Sequence, residues 1–245
     1  MNNQYGGPAA AQGEMDLGLR SFMLGTYKYM IAAMAVSGLV AYFAGSQLIG
    51  PNGQIAGWAR VLYSGPGLLA LIFGIPIAFG VVGAKLHSMS LTGARIFLFG
   101  FAAVMGIWLS AIAALKDPMI SVRIFFMASA MFAGLSLIGY TTKKDLTALG
   151  KISAMLFVGF IAIGVLGFFF KSLAPTGTFD IILNVVGLVA IAGITAWETQ
   201  GLKRIYYGTV GDPELAEKYA VYGAAGLLLA FINIFSILMS LFGGD

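Results

Sequence analysis

The sequence predicts an all-α membrane protein, a bundle of seven transmembrane helices, and three observations predict it. Hydrophobic residues make up 59% of the chain and charged residues only 10%, with a mean hydropathy of +0.91. A soluble domain carries roughly 25% charged residues to cover its surface, so lipid and not water must face most of this exterior. Seven continuous apolar stretches each reach about the 20 residues that a spanning helix needs. The connections between them are short and hold turn signals: Gly50-Pro51-Asn52-Gly53, Asp117-Pro118, Pro175-Thr176-Gly177 and Gly211-Asp212-Pro213. The apolar runs are continuous and do not alternate, which argues against a barrel.

Taken in order, residues 1–21 are polar, small and rich in Gly and Ala. They lack the basic start and apolar centre of a signal peptide and are expected to form a disordered tail. The seven helices are then expected over residues 22–45, 66–83, 96–115, 120–140, 152–170, 179–206 and 219–242. The second is short and interrupted by glycine. The 34 glycines sit largely inside the apolar runs, where small residues let helix backbones approach closely in lipid.

Lys and Arg counts in short loops set the orientation. One side holds Arg20, Lys85, Arg95, Lys143, Lys144, Lys151, Lys203, Arg204 and Lys218; the other holds Arg60, Lys116, Arg123 and Lys171. That asymmetry places the N-terminus in the cytoplasm, with a re-entrant second helix as the one arrangement that would alter the parity. A net charge of +4 fits basic cytoplasmic loops, and no basic run is long enough to track nucleic acid.

Several chemistries are excluded. The chain has no cysteine and a single histidine, His87, near a helix boundary, so thiolate sites, polyhistidine zinc sites and Cys-His dyads are ruled out. The last helix has no lysine for a retinal Schiff base, one acid at depth does not make an aspartyl protease, and no phosphate-binding glycine loop occurs. No enzyme is expected, and no cofactor beyond calcium in transit.

Charged groups inside the apolar runs each ask for an explanation. Lys28 and Arg123 lie within about two turns of a helix end and can snorkel to water. Glu198 is the sharper case. It sits in Thr195-Ala196-Trp197-Glu198-Thr199-Gln200, near the inner end of the sixth helix. Helical spacing aligns Asn184, Gly187, Thr195 and Glu198 in one seam. Gly223, Gly226, Ala230 and Asn233 make a comparable seam on the seventh helix, and the two are expected to pack with Asn233 hydrogen-bonded across the gap. Lys85 is one candidate counter-ion for Glu198; pairing with Lys203 or Arg204 at the helix end is the other. Thr141-Thr142-Lys143-Lys144-Asp145 forms a basic interfacial loop in which a threonine would cap the next helix and Asp145 would favour its N-terminus.

Four strings then carry a family resemblance: residues 22–29 (FMLGTYKY), 136–150 (SLIGYTTKKDLTALG), 193–203 (GITAWETQGLK) and 222–235 (YGAAGLLLAFINIF). They resemble the Bax inhibitor-1 family, the transmembrane Bax-inhibitor-motif proteins, in its bacterial branch, and the likeness runs over residues 22–243. Thr141, Thr142, Lys143, Lys144, Asp145 and Gln200 belong to the matching motifs. The resemblance implies a seven-helix domain with the C-terminal helix central, in the bacterial inner membrane, and a proton-sensitive calcium leak. It also implies a link to stress response and, as a partner, a membrane-bound ATP-dependent protease. The family has an acid, usually Asp, at Glu198; a second acid where this chain has Ala230; and an Arg where this chain has Lys85. A coupled pair of carboxylates titrates as a unit, so Ala230 implies weakened pH sensing. Two functions are carried forward. One is a calcium or cation leak with Glu198 as ligand or gate, Lys85 as its counter-ion, and Asn184, Asn233 and backbone carbonyls as the other oxygens. The alternative is a non-conducting regulator that binds a membrane protease or other membrane proteins. A small-solute transporter ranks last, because no inverted repeat is evident.

Overall fold

A computed structural model describes residues 8–244, with side chains from residue 15 onward. Eight α-helices follow in order: α1 (Pro8–Ser46), α2 (Gly57–Leu62), α3 (Gly65–Lys85), α4 (Leu91–Leu115), α5 (Pro118–Thr141), α6 (Thr147–Phe169), α7 (Gly177–Gly208) and α8 (Pro213–Phe242), with a 3-10 turn at Lys171–Leu173. All but α2 are long and apolar enough to cross a membrane. The chain is therefore an all-α membrane protein with seven spans.

The expected turn signals start the helices by identifiable chemistry. Asp117 Oδ1 accepts from the N–H groups of Met119 (2.6 Å) and Ile120 (3.2 Å), and Pro118 takes the first helical position, where a missing N–H is no loss. Asp212 does the same for α8, accepting from Leu215 N–H at 2.9 Å ahead of Pro213. Gly211 adopts φ +102°, a left-handed conformation that glycine takes without strain.

Two expectations are corrected. The tail over residues 1–21 is not disordered from residue 8 onward, because α1 already runs from Pro8. Pro8 suits a helix start, and Ala9, Ala10, Ala11 and Gln12 are strong helix formers; residues 1–7 lie outside the described residues. Between the first two spans, the connection contains α2, a short helix beyond the Gly50–Gly53 turn. Its following residue, Tyr63, puts its hydroxyl on α4, donating to the carbonyl of Trp108 (3.0 Å) and accepting from Ala111 N–H (3.2 Å). The second span itself, α3, has 21 residues. At 1.5 Å per residue that is about 31 Å, enough for the ~30 Å hydrocarbon core.

The core lies on α8, which packs against α1, α4, α5 and α7. Val221, Ala224, Ala225, Leu228 and Ile234 on it are fully buried. Its opposite is α3, which buries no residue. Phe79 ties α3 to the bundle through aromatic contacts with Phe97, Phe101 and Tyr222, and Ile75 and Val82 also pack against the core. The glycines divide into two groups. Gly106 of α4 lies on the Ser37 carbonyl of α1, and an added Cβ there would stand 2.7 Å from Val40 Cβ. Gly74, Gly80, Gly100, Gly134, Gly159 and Gly164 instead face open space, so they are not helix-packing positions.

Candidate functional site

At the α7–α8 interface Glu198 meets the small-residue face of α8, while Gly187 of the expected α7 seam faces Phe160 of α6 instead. Gly223 faces Leu202, and Gly226 faces the Glu198 carboxyl, whose oxygens lie 3.8 and 3.9 Å from where a Cβ on Gly226 would be. Without side chains at these two positions the carboxyl fits between the helices. Glu198 is half-buried as a residue, but its Oε2 is sealed off and has no hydrogen-bond partner. Ala230, buried, follows Gly226 by four residues and so stands about one turn, about 6 Å, further along the same face of α8. Tyr222, four residues before Gly226, donates its hydroxyl to the Phe79 carbonyl of α3 at 3.0 Å.

None of the three candidate cations pairs with Glu198; among the described residues no Lys, Arg or His nitrogen lies within 4.0 Å of its carboxylate. Lys85 is exposed. Phe79 and Gly83 are the α3 residues that touch Tyr222, and Lys85, two residues on, is turned about 200° away from Gly83. Lys203 donates instead to the Tyr140 carbonyl at 2.6 Å, and Arg204 to Thr147 Oγ1 at 3.2 Å.

The two asparagines do not join the site either. Asn184 lies 14 residues from Glu198, about 21 Å along α7, and donates to the Asp180 carbonyl at 2.9 Å. Asn233 donates to the Leu229 carbonyl of its own helix at 2.9 Å, not across to α7. A back-bond within the helix satisfies the amide where the small-residue seam offers no acceptor. The expected set of Glu198, Asn184 and Asn233 oxygens is thus dispersed. Among the described residues no three His, Cys, Asp or Glu side chains converge.

The motif residues form a separate cluster at the N-terminal side, where α7 clasps the α5–α6 loop. Gln200, 8% exposed, accepts from Leu146 N–H at 2.9 Å and donates to the Lys144 carbonyl at 2.7 Å. The Lys203 ammonium closes the end of α5 at Tyr140 and lies 5.7 Å from that ring's centroid. Asp145 accepts from Thr147 N–H (3.0 Å) and Thr147 Oγ1 (2.7 Å), with Arg204 at 3.8 Å. Those hydrogen bonds hold its carboxyl below the usual carboxylate range. The support they give α6 is therefore present at neutral pH and is lost as pH falls through the lowered value. No threonine caps α6: its N-cap is Leu146, with Asp145 just before it accepting from Thr147 N–H, while Thr141 donates to its own helix at Leu137 and Thr142 accepts weakly from Lys144 N–H at 3.4 Å. Lys143 and Lys144 are exposed.

One cluster escaped the sequence. Tyr29 of α1, Arg95 of α4 and Glu217 of α8 meet with Arg95 Nη2 to Glu217 Oε1 at 2.7 Å, Tyr29 Oη to Glu217 Oε1 at 2.6 Å and Arg95 Nε to Tyr29 Oη at 3.0 Å. Arg95 and Glu217 sit near helix starts, where a charged side chain is unremarked, Tyr29 lies midway along α1, and only the topology unites them. Both charged partners are about two-fifths exposed, which screens the pair. Glu217→Ala is expected to cost about 1 kcal/mol, read as a lowered thermal midpoint in detergent. Glu217→Gln, which keeps an acceptor for Tyr29, should lose less. His87, near the same end, shares a 3.2 Å hydrogen bond with Tyr219.

Comparison with known proteins agrees with this architecture. The sequence model of the family described as inhibitor of apoptosis-promoting Bax1 matches residues 19–245. The chain is 32% identical to a protein of Caulobacter vibrioides over 94% of its own length and 91% of that protein's. It is 27% identical to the inner membrane protein YbhL of Escherichia coli over 92% of each chain. It is also 26% identical to a membrane protein of Streptococcus pyogenes, over 94% of this chain and 95% of the other.

Proposed function

The chain belongs to the Bax inhibitor-1 family, and from that premise we propose that it is a non-enzymatic leak pathway for calcium or a similar cation, with weakened pH sensing. We place it in the bacterial inner membrane with its N-terminus in the cytoplasm. The observation that carries this reading is the Glu198 carboxyl, held between α7 and α8 with one oxygen sealed from solvent and unmatched by any protein donor. A carboxyl is expensive to place at such depth without a partner, and a cation in transit is the partner that a leak would supply. One carboxylate is too few ligands to retain calcium, which prefers six to eight oxygens; it suits passage and not storage. Lys85, exposed and turned away, leaves Glu198 free of a fixed counter-ion.

Ala230 sets the pH behaviour. A lone carboxyl titrates one proton, whereas a second acid one turn along would couple to it. As a ligand Glu198 works only when ionised, so calcium flux into proteoliposomes, followed from pH 6 to 8, should change with pH no more steeply than about tenfold per unit. Glu198→Gln should flatten the profile, and Ala230→Asp should steepen it. A wild-type response as steep as that of a two-acid relative, or one that survives Glu198→Gln, would overturn the reading.

The dispersal of Asn184 and Asn233 favours a second reading, a non-conducting regulator that binds a membrane-bound protease or another membrane protein. The unburied faces of α3 would supply its contact surface. Absence of flux at every pH, together with a reproducible partner captured in mild detergent, would decide for it.

A further inference from the structure

Around α8 the bundle is not closed. α1 and α5 both pack on α8 but scarcely on each other, and the gap between them is a groove. Its main part has a volume of about 560 Å³, with Tyr27 and Met34 on one wall, Phe125, Ala133 and Tyr140 on the other, and Phe231 of α8 as the floor. A smaller cavity of about 160 Å³ continues it along α1, sharing Met34, Phe125 and Phe231. Ser37 lines this extension; it is buried, and its hydroxyl has no hydrogen-bond partner. Ile31 and Leu137, on the rims, are exposed to the bilayer.

The dimensions suit a hydrocarbon chain. On α5 the lining runs from Phe125 to Tyr140, about 22 Å at 1.5 Å per residue, more than one leaflet of a ~30 Å hydrocarbon core. Spread over that length the 560 Å³ gives a section of about 25 Å². That is room for an extended hydrocarbon chain.

The two ends differ in chemistry. The end on the N-terminal side carries the hydroxyls of Tyr27 and Ser136, which face each other and Thr199. Lys203 stands beside it, bound to the Tyr140 carbonyl and ring. Lys28 follows Tyr27 on α1, and Lys143 and Lys144 follow Tyr140 by three and four residues. None of these four lysines has a carboxylate within 4.0 Å among the described residues. An apolar trough ending in hydroxyls and unmatched cations is complementary to one kind of molecule present at high concentration around the protein.

We propose that the α1–α5 groove is a binding site for one anionic phospholipid of the leaflet on the N-terminal side. An acyl chain lies in the trough against Met34, Phe125 and Phe231. The phosphate is held by Lys203, with Lys28, Lys143 and Lys144 around it. The charge requirement distinguishes this site from the general lipid annulus, which any apolar surface recruits.

The test uses the full-length protein in detergent with equimolar phosphatidylglycerol and phosphatidylcholine of matched acyl chains, and counts retained lipids by native mass spectrometry. One phosphatidylglycerol per chain is expected to be retained in preference to phosphatidylcholine. Lys203→Gln and Lys28→Gln should each reduce that preference about fivefold, as expected for a basic residue at an anionic headgroup. Ala133→Trp, at an exposed position within the trough, should displace both lipids. Equal retention of the two lipids, or retention unchanged in Ala133→Trp, would overturn the proposal. A wild-type dimer that Ala133→Trp dissociates would assign the groove to a second copy and also overturn it. Lys28 is exposed, so the charge test at that position stands even if the tryptophan variant or Lys203→Gln, which also loses its bond to the Tyr140 carbonyl, fails to fold.

Discussion

Gly139→Leu is expected to remove folded protein from the membrane, whereas Gly159→Leu should leave it intact. Gly139 sits where α5 crosses tightly over α7. A side chain there would drive into the Ala196 backbone carbonyl, and its first carbon would stand 2.9 Å from Thr199 Cβ. Neither neighbour is the free end of a flexible side chain, so relief requires the helices to separate. Separation would also pull Ser136 from Thr199, now 3.4 Å apart and both buried. Overpacking a tight core costs about 1–3 kcal/mol even when side chains can adjust. Against backbone the loss is larger, and a typical total of about 5–15 kcal/mol leaves little reserve. Gly159 meets nothing within 4 Å, so leucine there only adds apolar surface facing lipid. Membrane-fraction yield and thermal unfolding in detergent distinguish the two; similar melting of both variants would contradict the assigned α5–α7 contact.

Gln200→Leu should cost about 2–4 kcal/mol, from two hydrogen bonds at roughly 1–3 kcal/mol each with one end accessible to water. At about 2–4 °C per kcal/mol for a chain of this size the midpoint should fall by about 4–16 °C. The residue keeps its size but loses both amide contacts, leaving the Leu146 N–H and the Lys144 carbonyl without their partner. The local consequence is more diagnostic than the midpoint. Freed from α7, the α5–α6 loop should be cleaved by trypsin after Lys143 and Lys144 well before the rest of the molecule unfolds. Wild-type resistance in the variant would show that Lys203 and Arg204 hold the loop unaided.

What the sequence reveals follows the demands of the solvent. Hydrocarbon requires each crossing segment to satisfy its own backbone hydrogen bonds, so stretches such as α4 and α6 are legible as continuous apolar runs, and Asp117 and Asp212 mark where helices begin. The contact of Glu198 with α8 is legible too, because Gly226 leaves room that only a close neighbour fills, whereas Gly187 turns to Phe160 of α6. Direction around a helix and partnership between distant helices are not. Lys85 is placed at the correct end but faces outward, because one residue of rotation is 100° and no periodicity fixes α3, which is apolar on every face. Asn184 and Asn233 lie in their seams, yet turn to their own backbones, since helical carbonyls are always the nearest acceptors. Gln200 and residues 144–146 are conspicuous as separate strings; that one string holds the other depends on a crossing of α5, α6 and α7. Tyr29, Arg95 and Glu217, 66 and 122 residues apart, are joined by topology alone.

The shallow hold on α3 has a physical corollary. A span that buries none of its own residues and is tethered chiefly at Phe79 takes its tilt from its surroundings more than from its neighbours. Hydrophobic matching is then the force that positions it. Thinner bilayers lean it over and thicker ones stand it upright, so the cover beside Tyr222 varies with the lipid in which the chain resides. Composition of the host membrane thereby becomes a variable of this protein's conformation.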